Sequence, residues 1–135
     1  MTETYTIGAV KNGITTIVFS EDPTFDVCKA VIDELAATKS YHFRLWDFSE
    51  VLFTFSMDEI KAIARYGKAR FLDKNRLAAV APQDVAYGML RAFEVYRDED
   101  AHSVARVFRK EEEARAWLKE QQVSSGFRPN ASEKA

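Results

Sequence analysis

The chain has little of what marks a specialised small protein. Cysteine occurs once in 135 residues, which excludes an internal disulfide and with it the stapled secreted scaffold. Five glycines and three prolines are too few for a collagen-like or low-complexity chain. No apolar run approaches the roughly 20 residues that cross a bilayer. Neither charge sign dominates: 19 Lys and Arg stand against 21 Asp and Glu, for a net charge of −2 and a pI near 5.7. No global field and no Lys/Arg cluster favours nucleic acid. Met1-Thr2-Glu3-Thr4 lacks the basic and apolar regions of a signal peptide, so a cytoplasmic location is the expectation. Catalytic motifs are also missing. The sequence has no G-x-G-x-x-G, no G-x-x-x-x-G-K-[ST], no G-x-S-x-G and no H-E-x-x-H. Its two histidines, His42 and His102, are far apart and form no metal-ligand spacing. No cofactor and no metal is expected.

What is present is core material. Apolar residues make up 47% of the chain and aromatic residues 13%, enough for one folded domain. The domain is placed at residues 1–122, and the polar segment 123–135 is expected to be a disordered tail.

Residues 4–20 read as a β-hairpin. Tyr5, Ile7 and Ala9 alternate with polar or small residues, Asn12-Gly13 suits a type I′ turn, and Ile14–Phe19 is rich in β-branched types. Asp22-Pro23 opens a helix, with Asp22 as its N-cap and Phe25, Cys28, Ile32 and Leu35 on one stripe. On that stripe Cys28 is read as a small core hydrophobe, since a reactive thiol needs an electropositive, partly exposed setting. Tyr41–Phe48 is a strand with Phe43 and Leu45 on one face and Arg44 and Trp46 on the other.

The connection Ser49–Phe55 is unusually apolar. It either packs over the end of the sheet or leaves Val51, Phe53 and Phe55 as an exposed lip for a partner or ligand. Ser56-Met57-Asp58-Glu59 has the spacing of a capping box, with Phe55 and Ile60 placed as a hydrophobic staple. The helix it opens ends at Lys74-Asn75. Leu77–Ala81 is a buried strand that stops at Pro82 and delivers the chain into a helix near Gln83. The expected buried stripe of that helix is Val85, Met89, Phe93 and Tyr96; Tyr87, Arg91 and Glu94 lie on another face, and Gly88 marks a close backbone approach. Ser103–Phe108 is the last strand. Glu111-Glu112-Glu113 then opens the last helix, whose inner face is Ala114, Trp117, Leu118 and Gln121.

The order β-β-α-β-α-β-α-β-α implies an α/β fold: a mixed five-stranded sheet with an antiparallel hairpin at one edge, parallel later strands, and four covering helices. Ligands of such sheets gather outside the carboxyl ends of the strands. That rim would hold Asp47, Ser49, Ser56, Gln83, Asp84, Tyr87 and Arg91, with Asp47 bonding loop amides.

The succession of hairpin, Leu45-Trp46-Asp47-Phe48, Val80-Ala81-Pro82, Tyr87-Gly88-Met89-Leu90-Arg91, Val107-Phe108-Arg109 and Glu113-Ala114-Arg115-Ala116-Trp117-Leu118 resembles the small bacterial STAS-like proteins of the SpoIIAA-like fold, over about residues 4–121. The resemblance implies a non-enzymatic regulatory or protein-binding module that contacts a partner or a second copy of itself. Val51, Phe53, Phe55, Tyr87 and Arg91 are the candidate surface. In the anti-sigma-factor antagonists of that group a kinase phosphorylates a serine at the matching helix start, here Ser56; the Asp-Ser-Ser-Gly-like pattern of those proteins is replaced by Phe55-Ser56-Met57-Asp58. The related CRAL-TRIO domains bind lipids, so a small apolar ligand or lipid between helices and sheet is the alternative.

Overall fold

The Asn12-Gly13 turn sets the register of the first two strands. Both residues take positive φ, 53° and 79°, as a type I′ turn requires. Lys11 and Ile14 exchange backbone hydrogen bonds across it at 3.0 and 2.9 Å. A computed structural model describes residues 4–37, 43–71, 75–97 and 103–126; His42, His102 and the expected tail from residue 127 onward lie outside the described residues. The strand β1 (Tyr5–Ile7) pairs antiparallel with β2 (Ile14–Phe19), Tyr5 opposite Phe19. β3 (Phe43–Asp47), β4 (Asn75–Val80) and β5 (Ser103–Phe108) are added in parallel. With α1 (Phe25–Ala36), α2 (Met57–Arg70), α3 (Asp84–Arg97) and α4 (Glu111–Ser125), the chain is an α/β fold in the expected element order.

The spatial order of the sheet is β1-β2-β3-β4-β5, the same as the order in sequence. Successive right-handed crossovers then place α1, α2 and α3 on one face. The core divides accordingly. Ile17, Trp46, Leu77, Ala79 and Val107 face Cys28, Ile32, Ile60, Ile63, Leu90 and Phe93 of those helices. Phe43, Leu45, Ala78 and Val80 face Ala114 and Leu118 of α4. Because the strand order never reverses, the sheet has, among the described residues, no switch-point crevice of the kind that receives ligands in doubly wound folds.

Three local expectations need correction. The N-cap of α1 is Thr24, whose hydroxyl accepts from the Val27 amide at 3.2 Å; the Asp22 carboxylate bonds the Leu52 amide instead. The helix α2 ends at Arg70, and Asn75 is already the first, buried residue of β4. In α3 the buried line is Ala86, Leu90 and Phe93, while Val85 is 69% exposed. One residue of offset turns a helix by about 100°, and pattern alone did not separate Val85 from the smaller Ala86. Gly88 also departs from expectation: a Cβ built on it meets nothing within 4 Å. Gly88→Ala is therefore expected to stabilise the protein by about 1 kcal/mol in urea unfolding; a loss would mean that the position packs against something.

The last helix matches its expected start, with a small shift of its inner face. Ala114, Leu118 and Gln122 are its buried residues, and the Gln122 amide donates to the Asn12 carbonyl at 2.7 Å, tying α4 to the hairpin turn. Gln121 is half-buried and accepts from Arg76 Nε at 2.8 Å. The helix continues through Ser125 and ends on Gly126 in the left-handed conformation, three residues past the boundary read from composition.

Candidate functional site at the carboxyl rim

The rim consists of the segments leaving β3, β4 and β5 and the first turns of α2 and α3. Asp47 closes β3, and its Oδ1 accepts from the Ser49 amide at 2.9 Å and from the Ser49 hydroxyl at 2.5 Å. This is the loop-bonding role expected of it. Phe48 continues the ladder by donating to the Val80 carbonyl at 2.9 Å. The chain then turns inward. Val51, Phe53 and Phe55 are 3%, 3% and 8% exposed, so the exposed-lip reading of these three residues is corrected: they pack over the end of the sheet. Phe53 meets Phe48 edge-on at 5.2 Å and Phe55 edge-on at 4.9 Å.

That packing costs backbone strain. Phe53 has φ = +69°, a conformation uncommon for any non-glycine residue and unfavourable for a bulky one. Such residues cost on the order of 1–3 kcal/mol each and persist only where their surroundings hold them. The carboxylate of Asp22, thirty positions earlier, accepts from the Leu52 amide at 2.6 Å and pins the same segment from outside. Leu52 thereby projects outward, 62% exposed, between buried neighbours.

Ser56 forms the expected capping box. Its hydroxyl accepts from the Glu59 amide at 3.2 Å, and its own amide donates to Glu59 Oε1 at 2.9 Å. Phe55 and Ile60 lie in one core cluster, as the staple required. Phosphorylation would convert that capping oxygen into a dianion beside Asp58 and Glu59, an unfavourable neighbourhood.

Across the rim, Arg109 lies just past β5 and reaches back to the start of α3. Its guanidinium donates to Asp84 at 2.7 Å and to the Pro82 carbonyl at 3.1 Å, and lies over the Tyr87 ring at 4.2 Å. Tyr87 is thus half-buried under a clamp, and only Arg91, one turn further, is open. The candidate pair is brought onto one helix with different surroundings.

Asp47, Ser49, Ser56, Asp84 and Arg109 of the rim are accordingly bonded to one another, to Glu59 or to loop backbone, while Gln83 and Arg91 are exposed. Three apolar side chains also reach solvent there, Leu52, Met57 at 41% and Val85 at 69%, among exposed polar neighbours such as Glu50, Gln83 and Asp84. Sequence reasoning missed all three. The alternation Val51–Phe53–Phe55 against Leu52–Thr54–Ser56 was a signal for the first of them.

A second feature lies beneath the rim. An apolar cavity of ≈ 40 Å³ separates the sheet from α1–α3, with Trp46, Phe48, Phe53, Phe55, Ile60 and Phe93 in its wall. Arg44, 2% exposed, also lines it, with its guanidinium 3.7 Å above the Phe71 ring. The indole N–H of Trp46 is buried and has no hydrogen-bond partner among the described residues.

Cys28 lies in the same wall and is 2% exposed, the core position read for it. Burial, with a smaller contribution from the Glu59 carboxylate, pushes its thiol up from 9.0 to about 12. The raised value favours the folded state fully below pH 9 and loses that effect as pH climbs from 9 to about 12. The thiol is protonated at neutral pH and inert as a nucleophile. Iodoacetamide is expected to label folded protein only as fast as it unfolds; rapid labelling would contradict this. Among the described residues no three His, Cys, Asp or Glu side chains converge as a metal site, and no helix is long and apolar enough to cross a membrane.

Comparison with known proteins adds no relative: no family model matches the chain, and no curated protein matches it.

Proposed function

We propose that the protein is a non-enzymatic binding module that docks a protein partner through the carboxyl rim of its sheet. One observation carries this reading: several polar groups of the rim bond to one another or to loop backbone, while Leu52, Met57 and Val85, in the loop after β3 and the first turns of α2 and α3, are each exposed. Single exposed apolar residues are ordinary, and the reading requires that these three act together as one contact surface. The positive φ of Phe53 fits this reading, since the same turn of the chain that buries Phe53 leaves Leu52 outward. The STAS-like resemblance points the same way by likeness of pattern, and regulation through Ser56 rests on that resemblance alone.

Photo-crosslinking in cells that make the protein tests the surface. A photoreactive residue at position 52, 57 or 85 is expected to capture a common partner. The same residue at Val123, 79% exposed on α4, is the control. Equal capture at 123, or none at the rim, would remove the proposal.

A second reading, a small guest, rests on the apolar cavity, whose wall includes Trp46 with its unpartnered indole N–H. At ≈ 40 Å³ the space is far below the roughly 150 Å³ that admits benzene. A lipid chain does not fit it as built. Native mass spectrometry of freshly purified protein decides: no bound mass would close this reading.

A further inference from the structure

The rim loop carries a bulky residue where backbone geometry disfavours one. Among the described residues only Asn12 and Phe53 hold positive φ without being glycine. Asn12 sits in a turn that requires it, whereas the side chain of Phe53 opposes its φ of +69°. Phe53 is held from both sides of the loop. Inside, its ring meets Phe48 and Phe55 edge-on and forms part of the wall of the ≈ 40 Å³ cavity. Outside, the exposed Asp22 carboxylate, thirty positions before Leu52, accepts from the Leu52 amide at 2.6 Å.

We propose that Phe53 is a displaceable plug of the cavity, latched from outside by Asp22, and that the space it vacates is a site for a small apolar molecule with one aromatic ring. The inference rests on the second reading above, a small guest in the cavity, and adds how that guest enters and what size it has. The closed loop bears the cost of positive φ at Phe53, and withdrawal releases it, so this segment opens at less expense than an unstrained one. The vacated volume is that of a phenyl group and joins the existing void, so a ring of the same size takes its place. The remaining wall is mostly apolar, with Trp46, Ile60 and Phe93 in it, and selects an apolar guest.

Benzene titrated into the full chain tests this, with binding read from amide chemical shifts. Asp22→Ala removes the latch at an exposed position and is expected to bind benzene at least about fivefold more tightly than the native chain, because more of it stands open. Phe53→Gly removes the plug, adopts positive φ without penalty, and is expected to bind at least as tightly as Asp22→Ala. Hydrogen exchange is the second measure. Benzene is expected to speed exchange of the Leu52 amide in the native chain while slowing that of the β3 amides, as any ligand of the folded state does. Binding by Phe53→Gly with Asp22→Ala no tighter than native would overturn the latch and leave the guest reading standing. No binding by any of the three would overturn both. Should Phe53→Gly not fold, the native chain and Asp22→Ala still decide: equal affinity, or a Leu52 amide slowed by benzene along with the rest, would overturn the proposal.

Discussion

Phe48→Ala is expected to lower the unfolding free energy by about 3–5 kcal/mol, at the upper end of what one substitution does to a domain of this size. Phe48 is 4% exposed and lies where three parts of the chain meet. Its ring stacks on Phe19 of β2 at 4.7 Å with planes 6° apart, and Phe53 of the rim loop approaches it edge-on at 82°. Aromatic pairs of this kind contribute about 0.5–1.5 kcal/mol beyond area burial. The ring also lines the ≈ 40 Å³ cavity, so its removal enlarges an existing void instead of opening a fresh one that neighbours could close. Loss of the Phe48 contact removes one of the groups that hold Phe53 at positive φ, so the rim loop should loosen as well. Phe48→Leu, which keeps most of the volume, is expected to cost under half as much. Urea unfolding followed by far-UV circular dichroism reads both. A cost below about 1 kcal/mol for the alanine variant would show that the aromatic row does not hold the loop.

Much of this fold could be read from local chemistry. Asn12-Gly13 specified its turn because both residues tolerate positive φ, and Ser56 with Glu59 specified a helix start because the two reciprocal bonds need only three residues of spacing. The last strand was placed at its observed bounds, Ser103–Phe108. The failures share a cause: each was decided by something distant. Asp22 and Thr24 are both competent caps, and Asp22 was withdrawn from the role by a Leu52 amide thirty residues away. The stripe of α3 was set by which face met the sheet, which left Ala86 buried and Val85 exposed. At the site, the expected surface residues Val51, Phe53 and Phe55 turned inward and Tyr87 came under Arg109. Leu52 and Val85 look like core residues in a sequence, and only the packing shows that they are not buried.

The second large effect is on binding. Leu52→Ser, Met57→Ser and Val85→Ser together should weaken partner binding at least about a hundredfold, since fully burying an apolar side chain of this size contributes about 1.5–3 kcal/mol. Folding should be almost untouched. These side chains are 62%, 41% and 69% exposed, the Leu52 amide keeps its bond to Asp22, and the Ser56–Glu59 box does not involve Met57. Exposed substitutions of this kind usually stay within about 0.5 kcal/mol. A loss of affinity with an unchanged melt separates a docking surface from a structural one.

The most direct measurement is therefore a titration of the partner captured at position 52 against the native chain and the triple-serine variant, with thermal melts of both. Binding is expected to be at least about a hundredfold weaker, with melting temperatures that coincide. Undiminished binding by a folded triple variant would contradict the assignment of the carboxyl rim as the docking surface.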